Sequence, residues 1–175
     1  MTSFGRLLRR FGAAQDGVAA VEMSLIGVVF FGALINAVEV GRYGLALMQL
    51  NTAAQAGVSA AYHTCDAAHL PATQNCPALA GAVATALQST SLGGGVALEG
   101  TLTEGWYCVT GDKKLKYMAD PLSKPADCSA VQNPTAAAGL YLSVQAKYDY
   151  KPMFPGTVTQ TFATPLKRTA MARFQ

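Results

Sequence analysis

Apolar and polar positions divide the chain into one long helical stretch and a set of shorter runs. A run from Met23 to Val38 carries no charged residue, and helical spacing of apolar side chains continues after Glu39 without an interrupting proline. The pattern predicts one helix from about Val18 to about Tyr62. At ~1.5 Å per residue this helix is about 65 Å long, about twice the ~30 Å hydrocarbon core of a bilayer. Its second half is therefore expected to stand in water or to pack on another protein.

After residue 62 the pattern predicts a small domain that mixes helix and strand. The predicted elements are a helix at Pro77–Gln88, a hairpin of 96–103 and 106–110 that turns at Glu104-Gly105, a long loop over 111–138, a strand at Leu140–Tyr150, and a β-rich run over 157–164 that 170–174 continues. The expected fold class is α+β: a long N-terminal transmembrane and stem helix, then a small domain with one helix packed on an antiparallel sheet of about four strands. The expected domains are a basic leader (1–17), the transmembrane and stem helix (18–62) and the outer α+β domain (63–175).

Composition and charge favour a membrane protein over a nucleic-acid binder. The chain is 51% hydrophobic and 13% charged, and that charged fraction is about half the soluble average. The net charge is +3, and the basic residues form no stripe with interleaved aromatics, so no nucleic-acid partner is expected.

Arginines predict the orientation of the helix. Arg6, Arg9 and Arg10 precede the apolar run, which places the N-terminus in the cytoplasm, and everything after about Arg42 lies outside. The expected location is a bacterial inner membrane, with a single pass and a periplasmic C-terminal domain. A secretory signal peptide fits less well, because the first small-residue cleavage pattern, Ala54-Gln55-Ala56, comes about a helix length too late.

The cysteines all follow the apolar segment, and their even number suits an oxidising compartment. They are Cys65, Cys76, Cys108 and Cys128. Disulfides are favoured over a metal site, because His63 and His69 near the first two cysteines make no common zinc spacing. Of the three connectivities, Cys65–Cys76 with Cys108–Cys128 is preferred, since each bridge closes a local loop. No metal and no cofactor are expected.

Catalytic motifs are absent from the sequence, so no catalytic residue is predicted and the chain is not expected to be an enzyme. The acids after residue 60 are scattered, and no Gly-x-Ser-x-Gly, Walker or His-Glu-x-x-His pattern occurs. The aromatics Trp106, Tyr107, Tyr148 and Tyr150 are most simply explained by packing on a sheet face. A glycan- or surface-binding patch is the alternative.

Polar and small residues on the long helix suggest contacts with other helices. Glu39 and Arg42 are three residues apart and share a helical face, so they form either a local surface pair or a contact from Arg42 to an acid of a neighbouring subunit. Glycines allow neighbouring helices to approach closely, although glycine is also common in membrane helices. These glycines are at positions 27, 32, 41 and 44.

Three stretches resemble the TadE-like family, which comprises pseudopilins and minor pilins of the tight-adherence branch of type IV pilus systems. The first stretch is Gly17–Met23 with the apolar helix and Glu39–Arg42. The second runs from Leu142–Val144 through Tyr148–Pro155, which contains a Pro-x-Phe-Pro element. The third is the ending Ala170–Arg173. The resemblance implies cleavage by a prepilin peptidase between Gly17 and Val18. It also implies a pilin-like fold and packing of the N-terminal helix against other pilin or pseudopilin subunits of a Flp-type pilus. Met23 departs from the Phe or Tyr that the family often has there.

Glu22 fits such processing on physical grounds as well. A carboxylate in a bilayer helix costs about 2.5–3.5 kcal/mol at the centre and less near an end, so a compensating partner is expected. Cleavage after Gly17 would create an α-amino group on Val18, four residues from Glu22 and on the same helical face. The two groups can neutralise each other within one chain or between staggered chains. The alternative is an uncleaved membrane-anchored periplasmic binding module, in which Glu22 is an interfacial residue.

Overall fold

The computed structural model describes residues 16–162 and 164–175, so the predicted leader lies outside the described residues except for its last two positions. The helices are α1 (Asp16–Thr64), α2 (Ala72–Asn75) and α3 (Leu79–Leu87). The strands are β1 (Val96–Leu98), β2 (Thr103–Val109), β3 (Leu115–Ala119), β4 (Gly139–Tyr148) and β5 (Leu166–Arg173). Short 3-10 turns occur at Ala67–His69, Gly93–Gly95, Ser129–Val131 and Val158–Thr161. The fold is α+β: a long N-terminal apolar helix followed by a small antiparallel-sheet domain.

Helix α1 contributes to two compact units. The first, called here the apolar-helix unit, contains the described residues up to Arg42 together with Pro152–Phe162. The second, the sheet unit, contains Tyr43–Lys151 and residues 164–175. The division therefore falls inside α1, and the chain returns to the first unit through one segment late in the sequence.

Strand β4 is the centre of the sheet, with β5 antiparallel along one side and β1 and β2 on the other. Strand β3 extends the sheet beyond β2. The predicted alternation of β4 is confirmed: alternate positions along it, Leu140, Leu142, Val144 and Ala146, are all buried. Such a central strand needs apolar side chains on the core face and tolerates polar ones opposite.

Three elements predicted for the smaller domain are wrong. Glu104-Gly105 is not a turn but lies within β2, and β1 pairs with β4, so the predicted hairpin of 96–103 with 106–110 does not exist. The predicted loop over 111–138 contains β3, which forms a hairpin with β2. The run over 157–164 contains the 3-10 turn Val158–Thr161, and only β5 is extended at the C-terminal end.

The second half of α1 packs on the chain's own sheet, contrary to the expectation that it stands in water or against another protein. Leu50 and Val58 of α1 belong to one buried cluster with Leu87 of α3 and Val144 of β4. Gly57 permits this approach, because a Cβ built there would lie 3.1 Å from Leu87 Cδ2 and 3.3 Å from Val144 Cγ1. The sheet unit thus has two helices on one face of its sheet rather than one.

Both disulfides form with the preferred connectivity. Cys65 follows the end of α1 directly and is bonded to Cys76, the residue that directly follows α2. Cys108 of β2 is bonded to Cys128 at the start of the 3-10 turn Ser129–Val131. The first disulfide links the C-terminal end of α1 to the residue after α2. The second links strand β2 to the connection between β3 and β4.

Candidate functional site

The first half of α1 presents an apolar surface that nothing in the described chain covers. Helix α1 is long and apolar enough to cross a membrane, and none of its most apolar stretch is buried. The exposed large side chains up to residue 40 are Val18, Val21, Met23, Leu25, Ile26, Val28, Val29, Phe30, Phe31, Leu34, Ile35, Val38 and Val40. Exposed apolar patches of this size are typical of membrane or protein contact surfaces.

The predicted processing and register residues lie at the start of this surface. Gly17 and Val18 are in the first turn of α1, and Glu22 is exposed one turn later on the same face as Val18. A Cβ built at Gly27 or Gly32 would meet no atom of the described chain within 4 Å. The helix surface at each of these glycines is therefore open to another helix.

Glu39 lies at the far end of the apolar surface and is fully buried, with a side-chain exposure of 0%. The Arg42 guanidinium lies 3.5 Å from its carboxylate, which is the local pair that the sequence suggested as one alternative. The backbone N–H of Met153 also donates to both carboxylate oxygens, at 3.2 and 3.3 Å. A buried carboxylate needs such donors, since the loss of its water is otherwise uncompensated.

Asn36 forms a second attachment, which the sequence analysis missed. Its Oδ1 accepts a hydrogen bond of 2.9 Å from the backbone N–H of Val158, and its Nδ2 donates to the Gly32 carbonyl at 2.9 Å. Asn36 and Glu39 are three residues apart, so both face the returning segment Pro152–Phe162. The sequence signal for this attachment was the single amide Asn36 in an otherwise apolar run, one helical turn before Glu39.

Glu104 has a structural role that the sequence analysis did not predict. Its carboxylate accepts hydrogen bonds from the N–H groups of Ala72 and Thr73 at 3.1 and 2.9 Å, and from the Thr73 hydroxyl at 3.0 Å. It therefore caps the N-terminus of α2 from strand β2. This contact positions the loop that the Cys65–Cys76 disulfide closes.

Three of the four aromatics singled out in the sequence are packing residues. Trp106 is buried, and its Nε1–H donates to the Pro121 carbonyl at 3.0 Å. Tyr150 is buried against Tyr43, with ring centroids 5.2 Å apart. Tyr148 is half-buried at the edge of the main core. These three side chains give no exposed binding patch.

The fourth aromatic, Tyr107, belongs to a tyrosine cluster on the opposite face of the sheet. Its ring centroid is 5.5 Å from that of Tyr117 and 5.7 Å from that of Tyr141. The Tyr117 hydroxyl donates to Asp120 at 2.7 Å, which raises the pKa of Tyr117 above its ordinary value. The edge-to-face rings cover neighbouring backbone of the sheet, as aromatic pairs across strands commonly do.

Hydrogen bonds lower the pKa values of two carboxylates of the sheet unit, the half-buried Glu99 and the exposed Asp66. Hydrogen bonding to Lys167, and then to Lys147, holds the pKa of Glu99 below its ordinary value. Hydrogen bonding to His69 lowers the pKa of Asp66, whose side chain also caps the 3-10 turn Ala67–His69. These groups tie loops and edge strands together at the surface.

Metal-ligand clusters and free thiols are absent from the part of the chain that the structure describes. No group of three or more His, Cys, Asp or Glu side chains there is placed to hold a metal ion. The four cysteines are bonded in pairs. Asn36 and Glu39 accept hydrogen bonds from backbone N–H groups of the segment Pro152–Phe162, and Glu39 also lies 3.5 Å from the Arg42 guanidinium.

Comparison with protein-family models, curated proteins and solved structures finds no match to this chain. The resemblance to TadE-like proteins therefore stands on the residues quoted above. What the fold itself defines is a protein with a long, exposed, apolar N-terminal helix and a disulfide-bonded α+β domain.

Proposed function

We propose that this chain is a TadE-like pseudopilin or minor pilin, a structural or initiating subunit in the assembly of a tight-adherence (Flp-type) pilus. It is inserted in the bacterial inner membrane, with the leader in the cytoplasm and the sheet unit in the periplasm. A prepilin peptidase cleaves it between Gly17 and Val18. Its partners are other pilin or pseudopilin subunits, and it has no catalytic activity of its own.

The observation that carries this proposal is the uncovered apolar surface of α1 with an acid inside it. The surface is membrane-length, and Glu22 is exposed within it, with no hydrogen bond or ion pair to another described residue. A carboxylate in that position is costly in lipid unless a cation meets it. The amino group that cleavage would create on Val18 supplies such a cation on the same face.

The proposed mechanism assigns separate roles to the two ends of the apolar surface. The Val18 amine and Glu22 set the register of one helix against the next, either within a subunit or between staggered subunits. The open helix surface at Gly27, and that at Gly32, each let a neighbouring helix approach to backbone distance. The sheet unit carries contacts that differ between subunits.

The N-terminal sequence of the protein isolated from its native cells tests the processing step. A start at Val18 supports the proposal. An intact Met1 start refutes processing and favours the uncleaved membrane-anchored periplasmic binding module. A start at Gly57 would mean a secreted soluble domain and would end the pilin hypothesis.

The register role has its own test in the variants Glu22→Ala and Glu22→Gln. Both remove the charge, and both should reduce pilus assembly while leaving the amount of protein in the membrane fraction near that of the wild type. Ser24→Ala is the matched control, because it changes an exposed polar side chain of the same helix whose hydroxyl bonds only to the Ala20 carbonyl at 2.7 Å. Normal pili from both Glu22 variants would exclude the register role.

A further inference from the structure

The segment Pro152–Phe162 is attached to the apolar helix by its backbone. It belongs to the same compact unit as the first half of α1, although more than a hundred residues separate them in the sequence. Met153 N–H donates to Glu39, and Val158 N–H donates to Asn36. Both acceptors lie near the end of the exposed apolar surface.

The position of these two acceptors along α1 matches the far boundary of a bilayer. From Val18 to Asn36 the helix rises about 27 Å, and to Glu39 about 32 Å, at ~1.5 Å per residue. The hydrocarbon core of a bilayer is ~30 Å thick. If α1 enters the membrane near Val18, the segment that bonds to Asn36 and Glu39 lies at the level where the helix leaves the hydrocarbon.

The composition of the segment suits that level. Pro152–Phe162 contains no charged residue, and Lys151 directly precedes it. Met153 and Val158 are 60% and 45% exposed. Met153 and Val158 thus donate their backbone N–H groups to side chains of the helix and expose their own large apolar side chains.

The threonine hydroxyls of the segment are bonded within it, whereas the Gln160 side chain is exposed. The Thr157 hydroxyl donates to the Phe154 carbonyl at 3.0 Å and lies 3.0 Å from the buried Thr159 hydroxyl. The Thr161 hydroxyl donates to the Val158 carbonyl at 2.6 Å. Such internal pairing also satisfies these hydroxyls among lipid tails, which offer no hydrogen-bond partner.

From these observations we infer that Pro152–Phe162 is a second membrane-contacting element. It lies in the outer boundary between lipid headgroups and acyl chains, with the side chains of Met153 and Val158 in contact with lipid. The apolar span and this segment then form one continuous lipid-facing surface, which Asn36 and Glu39 hold together. The inference rests on the membrane insertion of α1 under the proposed function, and the occupant of the surface is the bilayer.

Quenching of tryptophan fluorescence by brominated lipids tests this contact. The full chain is reconstituted in phosphatidylcholine–phosphatidylglycerol vesicles as Met153→Trp or Val158→Trp. The wild type supplies the signal of its single tryptophan, buried Trp106, for subtraction. Both variants should show blue-shifted emission and a loss of fluorescence that is larger with bromine near the headgroup end of the acyl chain than near its terminus.

Two control positions separate this inference from the proposed span. Phe31→Trp, at an exposed site of the apolar helix, should be quenched most by bromine deep in the chain. Leu122→Trp, at an exposed site of the sheet unit, should not be quenched. If Phe31→Trp is quenched but both segment variants behave like Leu122→Trp, the segment faces water or protein and the inference is overturned. If Phe31→Trp is itself unquenched, the membrane span of the proposed function fails and the inference fails with it.

A measurement without substitutions guards against misfolded variants. The wild-type chain is placed in vesicles that contain a lipid with a photoactivatable diazirine in the upper part of its acyl chain, and adducts are mapped by mass spectrometry. Adducts should occur on peptides that cover 152–162 as well as on the apolar helix. Adducts on the helix alone would overturn the inference.

Discussion

Replacing Leu50 with alanine tests whether the second half of α1 is part of the folded core. Leu50 is 0% exposed and packs in the cluster that joins α1, α3 and the sheet. Removing its side chain should cost about 2–5 kcal/mol, from lost transfer free energy and the cavity that remains. Leu45 lies little more than one turn earlier on the same helix and is 58% exposed, so Leu45→Ala should change stability by no more than about 0.5 kcal/mol.

The assay is urea unfolding of the full chain in a mild detergent, followed by the fluorescence of its single tryptophan, Trp106. With a urea dependence of ~1–3 kcal/mol/M, a loss of about 3 kcal/mol lowers the midpoint by about 1–3 M. Leu50→Ala should show this shift, and Leu45→Ala should keep the wild-type midpoint. Equal midpoints for the two variants would refute the packing of α1 on the sheet.

Three further predictions concern polar contacts and the disulfides. Glu39→Ala removes the acceptor of the Met153 N–H, and a buried donor left without an acceptor costs about 1–3 kcal/mol of stability. Amide hydrogen exchange over 152–162 should therefore be faster in Glu39→Ala than in Glu39→Gln, which keeps an acceptor. Equal exchange rates in the two variants would contradict this. The hydrogen bond from Lys167 lowers the pKa of Glu99 below its ordinary value of 4.5. The stabilisation contributed by the charged Glu99 is therefore complete above pH 4.5 and is lost as the pH falls through the lowered pKa. The urea midpoint of the wild type should therefore fall more than that of Glu99→Gln between about pH 6 and about pH 3; parallel curves would exclude this role. The disulfides close sequence separations of 11 and 20 residues, so replacing either pair by serine should lower the free energy of unfolding by about 3 kcal/mol; an unchanged urea midpoint would contradict this.

Elements with a long or regular pattern were predictable from the sequence. The helix α1 extends only two residues beyond its predicted bounds at each end, because more than ten turns of helical spacing leave little ambiguity. Strand β4 was equally clear from its alternation. The disulfide pairing followed from the cost of closing long loops, which favours neighbours in sequence.

Short segments were predicted poorly because their neighbours in space decide their structure. Thr103–Val109 forms one continuous strand because β3 and β4 pair with it on both sides, which overrides the turn preference of Glu104-Gly105. The run over 157–164 has strand-forming residues, yet it contains the 3-10 turn Val158–Thr161, and the backbone N–H of Val158 bonds to the Asn36 side chain rather than to a strand. Strand propensity needs a partner strand, and none is available there among the described residues.

The candidate site divides in the same way. The sequence by itself determined that an apolar, membrane-length helix carries Glu22 near its start and Glu39 at its end, since composition and spacing along one helix are local properties. Only the tertiary structure decided what Glu39 does, because its backbone donor at Met153 is 114 residues away in the chain. A residue's position on a helical face follows from the helical period, whereas burial of its charge depends on which distant segment returns to cover it.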